Sequence, residues 1–285
     1  MKNHAFNNAD AATIAGFGRE WARFSQEALN EQEREEIFRQ YFSIFPWERL
    51  PEDGGRGADI GCGSGRWAKA VAPRVRELYL VDASEEALEV ARRNLQGHRN
   101  VKFCRAGVGN LPFGDESLDF AYSLGVVHHI PDPEAGMRSI ATKLKPGAPF
   151  LLYMYYAFDN RPAWYRGLWH FSDIVRRVLS RQPQWVKVAV AEVAALCIYW
   201  PLARMASLLS RLGPRIKHWP LAYYRDRSLY VMRTDALDRF GTRLEQRFTR
   251  NQITEMLARA GFDRIKFSDG PPFWCAVALK RGSVV

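Results

Sequence analysis

Asp59-Ile60-Gly61-Cys62-Gly63-Ser64-Gly65 lies between a short apolar segment and an amphipathic one, and Asp82 follows 17 residues after Gly65. Glycine lacks Cβ, takes positive φ cheaply and lets a ligand lie directly against backbone. An acid closing the next apolar run, Leu78-Tyr79-Leu80-Val81, can take both hydroxyls of a ribose. Together they point to a nucleoside-type ligand. Dinucleotide folds use G-x-G-x-x-G so that a helix N-terminus meets a pyrophosphate. Here the spacing is G-x-G-x-G, and Arg66 stands in the place of the third dinucleotide glycine, where its bulk opposes close helix–strand packing. No GK[ST] is present, so a P-loop is excluded.

Outward from this turn the chain alternates. Strands are expected at Arg56–Ile60, Glu77–Val81, Val101–Arg105, Leu118–Ser123 and Pro149–Tyr155. Helices are expected at Gly65–Ala72, Ser84–Gln96, stopped by Gly97, and Pro133–Leu144. Strands separated by helices imply right-handed crossovers and a parallel α/β sheet. Ligands of such sheets sit at the carboxyl ends of the strands, near the point where strand order reverses. Toward the C-terminus, Thr249-x-x-Gln252 reads as a capping box opening a helix that ends at Gly261, followed by strands at Phe262–Phe267 and Phe273–Leu279. Trp21, Phe24 and Leu29 recur at roughly helical spacing, and a second helix is expected from Glu31 to about Phe45.

A strand ending in an acid, then G-x-G-x-G, then a helix, resembles motif I of the class I S-adenosylmethionine-dependent methyltransferases. Asn110-Leu111-Pro112-Phe113, Glu116-Ser117-Leu118-Asp119-Phe120, Val127-His128-His129-Ile130 and Leu144-Lys145-Pro146-Gly147 look like that family's later motifs, in its order. The style is similar to the subgroup containing ubiquinone and menaquinone biosynthesis methyltransferases. The resemblance covers roughly residues 55–156, and more weakly 249–281. It implies a Rossmann-like sheet, mostly parallel with an antiparallel last strand, helices on both faces, and S-adenosylmethionine as cofactor. It also implies a cofactor site of Asp59, Gly61, Cys62, Gly63 and Gly65 in the turn, Asp82 and Ala83 at the ribose, and Leu124 near the methionine part. Many relatives place an Asp before Asn110-Leu111-Pro112 for the adenine amino group. This chain has Ala106-Gly107-Val108-Gly109 there, so backbone groups near Gly107 and Val108 are expected to read adenine.

Composition bounds the rest. The 285 residues suit one or two domains, and 47% apolar content is ordinary for a globular core. Cys62, Cys104, Cys197 and Cys275 are scattered, which suits a reducing cytoplasm and gives no zinc or other metal motif. Met1–Asp10 shows no signal-peptide pattern, so a cytoplasmic, optionally membrane-peripheral, location is expected. The net charge of +10 is uneven: residues 157–250 carry 17 Lys/Arg against 7 Asp/Glu, whereas residues 1–156 carry 19 against 21.

The domain reading is an N-terminal helical cap (1–50), a cofactor-binding core (51–156), a helical arginine-rich insertion (157–248) and the end of the core (249–285). Within the insertion, helices are expected around Trp164–Leu179 and Gln184–Leu212, then a loop rich in Tyr and Arg. Val188–Ala203 is strongly apolar but holds Glu192 and Pro201, and is too short and interrupted to span a membrane. It reads as a buried lid or homodimer helix, or as an interfacial helix flanked by Lys187, Arg204 and Arg211.

Methyl transfer to oxygen or carbon needs a general base. His128 and His129 are candidates, with Tyr153, Tyr155 and Tyr156 as alternatives or as lining of an acceptor pocket. Tyr223-Tyr224-Arg225-Asp226-Arg227-Ser228 combines aromatic faces with arginine forks and is the candidate for acceptor recognition, extended by Arg233, Arg239 and Arg243. The acceptor is then anionic: a small molecule, a saccharide or a lipid-linked intermediate, methylated on oxygen. Two rivals stand beside this reading: an RNA methyltransferase, against which the lack of an accessory nucleic-acid motif counts, and a non-catalytic cofactor-binding scaffold.

Overall fold

The computed structural model describes residues 7–26, 28–210 and 219–282. The chain divides into two compact units, one of residues 1–27, 34–157 and 244–285, the other of residues 28–33 and 158–243.

The first unit is built on a seven-stranded sheet of order β3-β2-β1-β4-β5-β7-β6. Its strands are β1 (Arg56–Ile60), β2 (Glu77–Asp82), β3 (Val101–Arg105), β4 (Phe120–Leu124), β5 (Pro149–Tyr153), β6 (Phe262–Phe267) and β7 (Ala276–Lys280). β1 pairs in parallel with β2 and β4, and β7 runs antiparallel between β5 and β6. Continuous apolar runs make the central strands. β4 is buried along its whole length, and Phe120 and Tyr122 of β4 and Phe150 of β5 are among the largest fully buried side chains. Such runs belong to parallel strands covered on both faces.

The covering helices are α1 (Ala11–Arg23), α2 (Glu31–Phe42), α3 (Ala68–Val71), α4 (Glu85–Asn94), α5 (Pro133–Lys143) and α10 (Arg250–Arg259). Their starts are chemically legible. Asp10, Ser84 and Asp132 cap α1, α4 and α5 through their side chains, and Thr249 with Gln252 forms the capping box of α10. The helix expected from Gly65 to Ala72 is much shorter. Gly65 takes φ +74° and its amide bonds the Cys62 carbonyl, so residues 65–67 close the turn and α3 is a single turn passing into a 3-10 segment at Pro73. The first helix also begins earlier than its Trp21–Leu29 pattern suggests.

The second unit is helical: α6 (Ala163–Leu179), α7 (Gln184–Ala194), a π segment (Ala195–Tyr199), α8 (Trp200–Ser210) and α9 (Leu229–Gly241). α7 to α8 is one continuous helix of 27 residues, Gln184–Ser210, long and apolar enough by length and composition to cross a membrane. The apolar tract is therefore not too short, as its sequence suggests. The π segment lies just before Pro201, whose missing N–H cannot continue the ordinary ladder. Arg211 and Leu212 lie outside the described residues. The Tyr- and Arg-rich stretch is not a loop: Ala222–Asp226 is a 3-10 turn, and Ser228 caps α9.

Candidate functional site

The carboxyl ends of β1, β2 and β4, with the turn after β3, open on one cavity of the first unit. About 790 Å³ of space, part of it open to solvent, lies within its walls. Gly61, Asp82, Ala83, Gly107, Val108, Leu124 and His129 all line it. It sits where strand order reverses, between β1 and β4.

The glycine turn is held from two sides. Gly61 takes φ +78°, and a Cβ there would meet the Val126 side chain at 2.3–2.9 Å. The amides of Gly61 and Cys62 both donate to the Val81 carbonyl, at 2.8 and 3.0 Å, which ties the turn to the end of β2. Asp82, the last residue of β2, accepts from the Gly63 amide at 2.9 Å and from the Ser84 amide at 2.9 Å. The two amides point one carboxylate oxygen each and leave further lone pairs toward the cavity. Burial pushes the Asp82 carboxyl up, opposed by the amides of Ser84, Gly63 and Ala83. This donor and acceptor set fits a ribose diol.

Several expected residues stand behind the wall rather than in it. Asp59 is buried, and burial, opposed in part by the Tyr122 hydroxyl, pushes its carboxyl well above the usual range. Cys62 is buried with a thiol pushed up by the same cause. A Cβ on Gly65 would meet Leu95, Ala91 and Leu80 at 2.9–3.4 Å, so this glycine serves packing against α4. Gly63 approaches the Trp21 indole, which a Cβ would meet at 2.7 Å.

The N-terminal helical cap does border the site, through Trp21 and through further residues that the sequence did not single out. Asn8, Asp10, Thr13, Ile14, Phe17 and Trp21 line the cavity. Asn8 exchanges two hydrogen bonds with the Asp132 backbone, at 2.7 and 2.8 Å. Asn94 donates to the carbonyls of Ser25 and Ser64, joining the chain after α1 to the glycine turn. Ile14, Phe17 and Trp21, spaced three and four apart, were the available signal for this helix face.

The two histidines have different surroundings. His128 is fully buried, 3.9 Å from the His129 ring and 4.0 Å from the Tyr155 ring between centroids. Burial, then His129, then Arg247 hold its pKa well below the ordinary value. It is a neutral core group and does not line the cavity. His129 does, beside Phe17 at 4.9 Å between centroids. Its Nδ1 lies 2.6 Å from the Leu244 carbonyl, which can only accept. Nδ1 therefore carries the proton and Nε2 is the basic nitrogen. Gln246 braces the same loop through the carbonyls of His128 and Ile130.

Tyr153 and Tyr155 stand 6.0 Å apart between ring centroids, outside the cavity lining, in a cluster with Tyr41 and Arg247. Tyr223, Tyr224, Arg225 and Arg227 belong to the second unit. Tyr224 donates to Asp235 at 2.8 Å, Arg225 pairs with Asp226, and Arg227 is buried beneath Tyr223. The Asp235 bond gives the Tyr224 side chain a structural duty within that unit.

Residues 58–152 match a family model described as a methyltransferase domain. The match places a methyltransferase domain in the first unit. This methyltransferase core is 39% identical over 104 residues to an uncharacterized methyltransferase of Bacillus subtilis, covering 36% of this chain and 41% of that protein. It is 34% identical over 91 residues to a ubiquinone biosynthesis O-methyltransferase of Idiomarina loihiensis, covering 31% and 37%. The chain thus spans about two fifths of the length of these relatives. Among solved structures, human N-acetylserotonin methyltransferase in complex with S-adenosylmethionine aligns with 94% of this chain and 57% of its own, at 16% identity and a TM-score of 0.53. That likeness is one of fold. The Asp82 geometry suits the ribose of S-adenosylmethionine.

Proposed function

We propose that the chain transfers a methyl group from S-adenosylmethionine to an oxygen of a small, anionic acceptor: a metabolite, a saccharide or a lipid-linked intermediate. The observation that carries this reading is His129, which lines the same cavity as Asp82 and whose Nδ1 is held at the Leu244 carbonyl, leaving Nε2 as the basic nitrogen. The ubiquinone biosynthesis O-methyltransferase similarity of the core supports an oxygen acceptor. When bound, the cofactor supplies an activated methyl group on its sulfonium.

The chain's own residues do the rest. Asp82 fixes the ribose, and the backbone near Gly107 and Val108 meets the base. Phe17, Trp21 and Ile14 keep water from the cavity, which raises the value of alignment. Nε2 of His129 takes the acceptor's hydroxyl proton, and the Leu244 carbonyl holds the imidazole in the tautomer that does so.

The test is incubation of the purified chain and methyl-labelled cofactor with fractionated extract, followed by mass spectrometry of labelled products. An O-methylated small molecule or lipid intermediate is expected. Label on nitrogen, or in the RNA fraction, would refute the reading.

A further inference from the structure

We propose that the second unit seats on an anionic lipid bilayer through an apolar face formed by α6 and the Gln184–Ser210 helix, lying in the interface plane without crossing it.

All the large apolar side chains that the described residues expose fall in this unit. On α6, Trp164, Leu168, Phe171 and Val178 recur at spacings of four, three and seven, and are 50–67% exposed. On the long helix, Trp185, Val193, Leu196 and Leu208 continue such a stripe at 52–74% exposure. Singly exposed apolar residues are ordinary, but two unpartnered helical stripes are not.

The inner faces carry buried polar contacts. On α6, Asp173 and Arg176 are buried as an ion pair at 2.7 Å, and Arg176 donates to the Thr242 carbonyl at the end of α9. On α7, Lys187 is buried and donates to the Gly241 carbonyl, while Glu192 takes a two-pronged bond from Arg233 of α9 at 2.6 and 2.7 Å. Both helices thus hold polar contacts to α9, the long helix packing small apolar residues such as Ala191, Ala195 and Ala203 beside them, and leave their large apolar side chains outward.

Charge selects the occupant. Residues 157–250 carry 17 Lys/Arg against 7 Asp/Glu, and Arg166 and Arg181 are exposed. Two copies of so positive a unit repel one another, whereas anionic headgroups attract it. Tryptophans at the helix starts, Trp164 and Trp185, suit the headgroup level. Full crossing is disfavoured, because it would bring Lys187 and the Glu192–Arg233 pair into hydrocarbon.

The proposal does not depend on the acceptor reading, and its test involves no turnover. The full chain is sedimented with vesicles of phosphatidylglycerol and phosphatidylcholine, and with pure phosphatidylcholine vesicles, at low and high salt. Binding to the mixed vesicles that weakens with salt is expected. Trp185→Ser with Leu196→Ser should weaken it at least about tenfold, and so should Trp164→Ser with Phe171→Ser as an independent pair. Thermal melting and cofactor affinity of both variants should match the parent. The proposal is overturned if the parent stays unbound to anionic vesicles, or if both folded variants bind as it does. It is equally overturned if sedimentation equilibrium shows a dimer that the substitutions dissociate while vesicle binding is unchanged.

Discussion

Replacing Asp82 by Ala tests the ribose assignment most directly. In the structure its two oxygens each accept one backbone amide, from Gly63 and Ser84, both at 2.9 Å. The carboxylate therefore arrives at the cavity already oriented. Hydrogen bonds to a charged acceptor are worth about 1.5–3 kcal/mol each, and a diol offers two. Water entering the vacated space recovers part of that, leaving a loss of about 3 kcal/mol, or roughly 10²-fold in Kd for S-adenosylmethionine. Titration calorimetry reads this, with circular dichroism verifying the fold. The carboxylate is the form that accepts both hydroxyls, and burial raises its pKa. Parent affinity should accordingly strengthen as pH rises through that pKa, while Asp82→Asn should lack this dependence. A Kd for Asp82→Ala within about threefold of the parent, in a folded protein, would sink the reasoning.

Gly61→Ala places a Cβ at 2.3–2.9 Å from Val126 at φ +78°, and should lower the melting temperature by at least about 4 °C in differential scanning calorimetry. His129→Gln should reduce kcat by about 10²-fold once an acceptor is in hand. Its cofactor Kd should stay near the parent's, and an unchanged kcat would remove His129 as the base. His128 is held neutral, with a folded-state pKa well below its unfolded value near 6.5. Its contribution to stability is present above that value and is lost as pH falls from about 6.5 toward the folded-state pKa. His128→Asn should flatten this acid limb of a melting-temperature profile, and an unaltered limb would count against a buried neutral imidazole.

Much of the methyltransferase core was legible because local and tertiary demands agree there. β1, β3 and β6 end where their apolar runs end, and Ser84 and Thr249 cap as their side chains suggest. Disagreement arose where spacing alone could not decide. Gly65 reads as a ligand glycine, yet its missing Cβ makes room for Leu95 and Ala91. His128 and His129 are adjacent in sequence, but the short 3-10 turn at Val127–His129 sends one ring into the core and the other to the cavity. The arginine density after Tyr223 masked the apolar positions Val231, Met232, Ala236 and Leu237 that make α9 helical. Periodicity also shows that α6 is amphipathic without telling which side faces inward. That is settled by Arg176 finding the Thr242 carbonyl.

Arg66 links the opening motif to the N-terminal cap. Its bulk argues against a dinucleotide glycine, and the structure shows where that bulk goes. The guanidinium lies 4.3 Å from the Trp67 ring centroid and 6.0 Å from that of Trp21. Trp21 in turn occupies the space that a Cβ on Gly63 would need. A glycine at position 66 would leave Trp21 unsupported on this side, and a side chain at position 63 would push it away. The G-x-G-x-G-R spacing thus opens the backbone to a ligand at Gly61 and seats the helix that shelters the ligand at Gly63 and Arg66. A turn built for a pyrophosphate needs the helix after it to start early and point at the phosphates. Here α3 starts only at Ala68, and residues 65–67 are spent on closing the turn and bracing α1 over the cavity. The same three residues thereby disfavour the dinucleotide and help to enclose the nucleoside.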